Sequence, residues 1–278
     1  MSHQKIDSKE VGLSIGLILG RYFLGTDDLH YGYWTQDLPV TFGNFVKAQE
    51  NHSDLIISHL PKSVRSILDV GCGAGVLAKK LLSRGFSVEC ISPYSVLSDH
   101  AKENLEGKAV LHECYFEDFK TDKTFDLILF SESFQYVDLE KSINLITSLL
   151  NKNGSLLICD FFKTEAAGKS PIGGGHRLTR FLETISRYSF KEIINIDITK
   201  ETAPNIDLLG NVYNNVGLPI KSILTSYFTS HYPTLSRLIA WKFRKRFNKM
   251  NSKYFSRSIS GEAFAKFKTY RLFLLQKS

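Results

Sequence analysis

Three glycines at alternate positions, Gly71, Gly73 and Gly75, stand in the stretch I-L-D-V-G-C-G-A-G-V-L-A-K-K-L-L, Ile67 to Leu82. Glycine turns a backbone tightly and carries no Cβ to hold a ligand at a distance, so main chain here can approach a bound molecule closely. Cys72 lies inside the run. Asp69 stands two residues before the first glycine, where a carboxylate can meet an ammonium group. Strand, turn and helix must position this arrangement. Ile67, Leu68 and Val70 read as a short buried strand, and Val76, Leu77, Leu81 and Leu82 recur at helical steps of three and four. A helix that begins there offers free N–H groups in its first turn.

The dinucleotide fingerprint G-x-G-x-x-G needs a third glycine where Val76 stands, which sets a nicotinamide oxidoreductase aside. The spacing is G-x-G-x-G with an acid ahead of it. In this the chain resembles class I S-adenosylmethionine-dependent methyltransferases; the plain alternative is a Gly-rich turn in another α/β protein. The resemblance implies an α/β fold, a Rossmann-like, doubly wound, mostly parallel sheet with a largely helical cap. It also implies S-adenosylmethionine as cofactor and S-adenosylhomocysteine as product. Ser87 to Ile91 is the expected second strand. In the family that strand ends in an acid that holds the ribose; here the aligned residue is Ser92, followed by Pro93. A serine makes one such hydrogen bond without the charge. Glu89, three residues back, falls on the opposite strand face. Ala109 to Glu113 is the third strand, and Phe116 and Glu117 after it are the expected adenine contacts. Phe125 to Ser133 opens with the F-D-L-I pattern these enzymes share. Its polar end, Ser131, Glu132 and Ser133, faces the crevice of an open sheet. A helix from Leu139 to Leu150 leads through the turn pair Asn153-Gly154 to a fifth strand, Ser155 to Phe161. This βαβα alternation with right-handed crossovers builds a parallel sheet. Tyr270 to Leu275 is expected to close it as an antiparallel strand.

Val11 to Leu24 is apolar but too short to span a bilayer, is interrupted by Arg21, and precedes no cleavage site. A buried or substrate-facing helix is expected. His30-Tyr31-Gly32-Tyr33-Trp34 precedes a helical stretch from Thr41 to Leu60. It is similar to a segment that closes over the cofactor in tocopherol, sterol and cyclopropane-type methyltransferases. Tyr33 would then reach the methionine end; otherwise the cluster fills a corner of the core. Beyond strand five, Gly173-Gly174-Gly175-His176-Arg177 is a loop before a helix from Leu178 to Ser189. His176, with an ordinary pKa near neutrality, is a candidate general base or a structural histidine. Glu132 and Tyr136 are the other catalytic candidates. Lys191 to Ile198 reads as a strand and Asn205 to Leu224 as helix. The domain reading is a helical lid over 1–60, a cofactor-binding core over 61–162, a substrate cap over 163–258 and a return to the core over 259–278.

Composition is that of a globular enzyme, 43% hydrophobic and 23% charged over 278 residues. Cys72, Cys90, Cys114 and Cys159 form no C-x-x-C pair and read as buried, reduced thiols in a cytoplasmic protein. The eight histidines show no metal-ligand spacing. Charge divides the chain: residues 161–278 hold 20 Lys+Arg against 7 Asp+Glu, while the remainder is acidic. Residues 237–257 carry eight Lys+Arg and no acid, interleaved with Leu238, Trp241, Phe243, Phe247 and Phe255. A peripheral membrane contact, a site for an anionic substrate and RNA binding all suit that pattern, with nucleic acid ranked last because no RNA-binding motif accompanies it. A solvated basic face suits it as well.

Base-amino methyltransferases carry N/D-P-P-Y/F/W after strand four, where this chain has Ser131-Glu132-Ser133-Phe134. The expected activity is therefore methyl transfer to an O, N or C nucleophile of a small metabolite, apolar and lipid-like or with an acidic head, in natural-product biosynthesis. A non-catalytic S-adenosylmethionine-binding protein and an RNA-directed enzyme are the alternatives.

Overall fold

The computed structural model describes residues 8–168, 170, 172–245 and 259–278. Apolar alternation builds the centre. β1 (Ser66–Val70), β2 (Ser87–Ile91), β3 (Val110–His112), β4 (Phe125–Ser131) and β5 (Leu150–Lys163) pair in parallel. β6 (Phe190–Asp197) and β7 (Lys268–Lys277) complete a sheet of order β3-β2-β1-β4-β5-β7-β6, with β7 antiparallel to both neighbours. The α/β, Rossmann-like, mostly parallel architecture expected from the motif order is what is found.

Each face of the sheet buries its own set of side chains, because successive strand residues point to opposite faces. On one face Ile67, Leu127, Leu129, Leu157 and Leu272 pack with Ile56 of α2 (Phe45–Ser58) and with Leu77 and Leu81 of α3 (Val76–Ser83). On the other, Leu68, Ile128, Leu156 and Phe273 meet Ile143 and Ile146 of α5 (Leu139–Leu149) and Phe181 of α6 (Leu178–Ile185). α4 (Ser95–Leu105) links β2 to β3. The chain runs outward from β1 to β2 and β3, then returns to β4 on the other side of β1. Neighbouring strands that lead away in opposite directions leave a crevice at their carboxyl ends, where open α/β sheets bind ligands.

Several expectations are corrected. Of the two alternatives for Val11 to Leu24, the buried helix is set aside: α1 (Ser8–Leu19) and a π-helical turn, Gly20–Leu24, leave Ile15, Ile18, Tyr22 and Phe23 exposed and bury Leu17 alone, while Leu13 of α1 faces the cavity described below. Asn153 and Gly154 do not precede strand five. They lie within β5, where Asn153 takes a positive φ of 63° and the pairing with β4 jumps from Leu150 to Ser155. Cys114 is half-buried, unlike the other three cysteines. β6 joins the central sheet, so the core resumes inside the 163–258 segment assigned to a cap. The rest of that segment is α7 (Thr199–Thr202), α8 (Pro204–Val212), a π-helical turn, α9 (Leu218–His231) and α10 (Pro233–Lys242). The remainder of the basic stretch, 246–257, lies outside the described residues. α11 (Gly261–Phe267) leads into β7.

One buried side chain fixes the segment at Gly32. Asn205 accepts from the Gly32 N–H at 2.8 Å and from Trp34 Nε1 at 3.2 Å, and donates to the carbonyls of Gly32 and Thr202, each at 2.7 Å. A Cβ at Gly32 would strike the Cβ of Ala48, so the segment lies flush against α2. Asn205→Ala strands three buried polar partners from this segment and one from α7, and is expected to cost about 3 kcal/mol. Urea denaturation of the variant beside the wild type measures it.

Candidate active site

The carboxyl ends of β1, β2 and β4 and the turn after β3 enclose a cavity of about 390 Å³. Asp69, Gly71, Cys72 and Gly73 line it from β1, and Ser92, Pro93 and Tyr94 from β2. Tyr115, Phe116 and Glu117 line it beyond β3, and Ser131, Glu132, Gln135 and Tyr136 from β4 onward. Leu13 of α1 and the segment Asp27–Tyr31 form its roof, and Phe161, Ile172 and Gly173 lie along its far side. Among the described residues the lining holds five carboxylates and no lysine or arginine.

The motif end suits a cationic ligand. Asp69 is buried, and its Oδ2 has no hydrogen-bond partner among the described residues. Burial pushes its carboxyl up to about 7, because an unpaired charge there has lost its water. The Oγ of Ser131 is a second buried polar atom without a partner among the described residues. Gly71 and Gly73 take φ values of 77° and 59°. A Cβ at Gly71 would come within 2.5 Å of the Ser133 Cβ, whereas Gly73 meets nothing within 4 Å and leaves its backbone open to a ligand. Ser133 fixes the approach of the two loops through its hydroxyl, which donates to the Val70 carbonyl.

The opposite end is aromatic. Tyr94 and Tyr115 stand edge to face with centroids 6.5 Å apart, beside buried Phe116. Glu117 accepts from the Asp138 N–H at 2.6 Å. Glu89 lines no part of the cavity: its carboxylate meets His112 at 2.7 Å and Lys123 at 2.6 Å. In the turn after β2, Ser92 takes the place an acid holds in the family.

Between these ends lies a cluster of titratable groups. Glu132 has a positive φ of 55° and donates its N–H to the Cys159 carbonyl at 2.9 Å. Its Oε1 accepts from the Tyr31 N–H at 2.7 Å and from the Tyr270 hydroxyl at 2.8 Å. Burial raises the Glu132 pKa, partly opposed by His30 and by those two donors. Tyr270 also meets His52 Nε2 at 3.0 Å, and His52 stacks on His30 at 4.6 Å. Burial pulls His30 down, but the Asp28 carboxylate at 3.2 Å outweighs it and the net pKa is raised. Tyr136 is pushed up to about 12 by burial and by Asp160 and Glu132, so its hydroxyl keeps its proton at neutral pH.

Three expected residues fall elsewhere. Tyr33 is not in the lining; its N–H is tied to the Ala48 carbonyl at 2.8 Å, and of the two tyrosines in this segment it is Tyr31 that reaches the cavity. Gly75 is outside the lining and caps α3 with φ 80°. His176 is not brought to the cavity: Nε2 lies 3.1 Å from the Phe134 carbonyl oxygen and the ring stands edge-on to Phe134. With that nitrogen engaged on main chain and its pKa lowered by burial, His176 is not retained as a base. The sequence reading missed Asp27, Asp28, His52, Asp160 and Tyr270. Asp160 accepts from the Gln135 N–H at 2.9 Å and so fixes a residue of the lining. The aromatic cluster was the sequence signal for the roof, and the acidic pair Asp27-Asp28 two residues ahead of it was not read.

Residues 46–195, more than half of the chain, match the family described as a methyltransferase domain. The chain belongs to that methyltransferase family. An uncharacterized methyltransferase of Bacillus cereus is 25% identical over 201 residues, which span 68% of this chain and 89% of the relative. Among solved structures, geranyl diphosphate C-methyltransferase from Streptomyces coelicolor, in complex with Mg²⁺, geranyl diphosphate and S-adenosylhomocysteine, is similar with TM-score 0.68 at 14% identity, covering 98% of each chain. The [4+2]-cyclase SpnF is similar with TM-score 0.66 at 18% identity, covering 96% of this chain and 92% of its own. The methyltransferase uses S-adenosylmethionine as its cofactor. The unpartnered Asp69 and Ser131 and the open backbone at Gly73 fit that cofactor.

Asp69 opposes stability. Its folded pKa stands above the unfolded value, so the penalty is absent below pH 4 and complete above about pH 7. Asp69→Asn is expected to melt higher than the wild type at pH 8 without ligand, by on the order of 2 kcal/mol, with the gap closing toward pH 5. The same variant loses the thermal upshift produced by S-adenosylmethionine. Paired melting curves at the two pH values check both outcomes.

Proposed function

We propose that this methyltransferase transfers a methyl group to a small, largely apolar acceptor that is neutral or cationic at its reacting end, and that Glu132 takes up the acceptor's proton. The observation that carries this reading is the pair of carboxylates in one cavity, unpartnered Asp69 at the motif end and Glu132 deeper in, held by two donors. When bound, S-adenosylmethionine supplies an electrophilic methyl group. Asp69 would pair with its ammonium, Gly71 and Gly73 would admit its methionine portion along the backbone, and Phe116 and Tyr115 would cover its base. Ser92 is placed to bond the ribose without the charge of the usual acid.

Beyond this, Tyr31 and Phe161 line the cavity with buried Phe264 and Tyr270 packed behind them, ring centroids 6.0–6.5 Å apart. Such a wall aligns an apolar acceptor and keeps water out, which is most of what an in-line displacement asks of an enzyme. The five lining carboxylates disfavour an acidic head inside the cavity, since like charges repel strongly where water is scarce. That narrows the acidic or lipid-like metabolite expected from sequence to a neutral or amine-bearing one. A hydroxyl acceptor must lose its proton. Glu132, whose pKa burial raises, would take it.

Glu132→Gln should leave S-adenosylmethionine affinity within about twofold and lower kcat for phenol and alcohol acceptors by about a hundredfold. Transfer of radiolabelled methyl to a panel of phenols, prenyl alcohols and amines reads this. Turnover of RNA in place of every small acceptor would sink the proposal. Tyr270→Phe removes a donor that lowers the Glu132 pKa, so the acid limb of the pH–kcat profile should move to higher pH. An unmoved limb places the base elsewhere.

A further inference from the structure

α9 and α10, joined through Tyr232, do not behave as part of a core. None of their residues is buried, and Ile223, Leu224, Phe228, Leu235, Leu238 and Trp241 are among the large apolar side chains they expose. Trp241 is 78% exposed, whereas the chain's other tryptophan, Trp34, is 4% exposed. The pair is nevertheless ordered against itself, with the Ser236 hydroxyl donating to the Phe228 carbonyl at 2.9 Å. An apolar surface of this extent on a soluble domain marks a contact with something.

The charge around it selects the partner. From Leu208 to Ser260 the sequence contains no aspartate or glutamate and nine lysines and arginines. A second copy packed on this surface would bring like charge against like charge. Nucleic acid would satisfy the basic residues and stack on the aromatic rings, but it offers nothing to Ile223, Leu224, Leu235 and Leu238. A bilayer with anionic headgroups accepts all three kinds of side chain. Aliphatic groups enter the acyl boundary, Tyr227, Tyr232 and Trp241 sit at headgroup level, and Lys242, Arg244 and Lys245 meet the lipid phosphates. No helix of the described residues is long and apolar enough to cross a membrane, so such a contact rests on the surface.

We propose that the α9–α10 pair is the surface by which this protein docks on an anionic lipid bilayer. The arrangement combines two weak attractions, apolar burial and polybasic attraction, neither of which holds a protein on a membrane alone. It is independent of the catalytic reading, because none of these residues lines the cavity.

Co-sedimentation of the full-length protein with vesicles of phosphatidylcholine, alone or mixed with phosphatidylglycerol, tests the proposal without turnover. The protein is expected in the pellet with mixed vesicles only, and to be released by raised salt. Brominated lipid should quench the emission that Trp241→Phe removes and leave the Trp34 emission intact. The double variant Lys242→Glu/Lys245→Glu should weaken partitioning about tenfold or more. Leu238→Asp should weaken it by a similar factor while leaving thermal melting and S-adenosylmethionine binding unchanged. The proposal is overturned if the wild type stays in the supernatant with mixed vesicles, or if both variants pellet as the wild type does. It is equally overturned by a concentration-dependent dimer that Leu238→Asp dissolves. Binding of the same residues to a ribohomopolymer in preference to mixed vesicles overturns it as well.

Discussion

The carboxylate of Glu132 joins three parts of the chain that are far apart in sequence. It takes one hydrogen bond from the backbone of Tyr31 in the roof and one from the hydroxyl of Tyr270 in the last strand, while its own backbone closes the end of β4 against β5. The residue holds a left-handed conformation that glutamate rarely adopts, a local cost of order 1 kcal/mol that its surroundings must outweigh. The roof, the aromatic wall and the deep end of the cavity therefore keep their places only together. His30 and Asp28 extend the same cluster into the roof, so its charge state and its geometry are set by one set of contacts.

What the sequence disclosed follows the reach of its interactions. β1, the glycine turn and α3 are contiguous, and the period of their apolar residues names them at once. β4 and β7 were equally legible, since a strand buried on both faces writes its own pattern. Roof residues were not. Whether Tyr31 or Tyr33 faces the cavity is decided by Asn205, more than 170 positions away, and by Ala48 against Gly32. Tyr270 reads only as one more strand residue until β7 is laid beside β5. His176 looked reactive because its loop is rich in glycine; the Phe134 carbonyl that occupies its nitrogen is visible only in three dimensions. The exposed face of α1 was misread for a related reason, since an apolar segment does not say which of its sides will be covered.

Charge is divided with unusual sharpness. Among the described residues the cavity is lined by acids without a lysine or arginine, while α9 and α10 carry bases without a single acid. The two fields need not conflict. The first lies inside the cavity and the second on exposed helices, none of whose residues lines it. The departure at Ser92 belongs to the same pattern: a carboxylate is missing where the family places one, yet others, Asp27 and Asp28, stand in the roof.

That roof is lightly fastened. α1 is held by buried Leu17 against Ala74 and Leu97, and the turn after it by Arg21 pairing with Asp27 at 2.7 Å. Burial of a single leucine is worth only about 2 kcal/mol, and a half-exposed ion pair adds little to that. Lifting α1 is therefore far easier than disturbing any strand of the sheet. Local opening at α1 thus exposes the cavity beneath it to solvent before any strand of the sheet is disturbed.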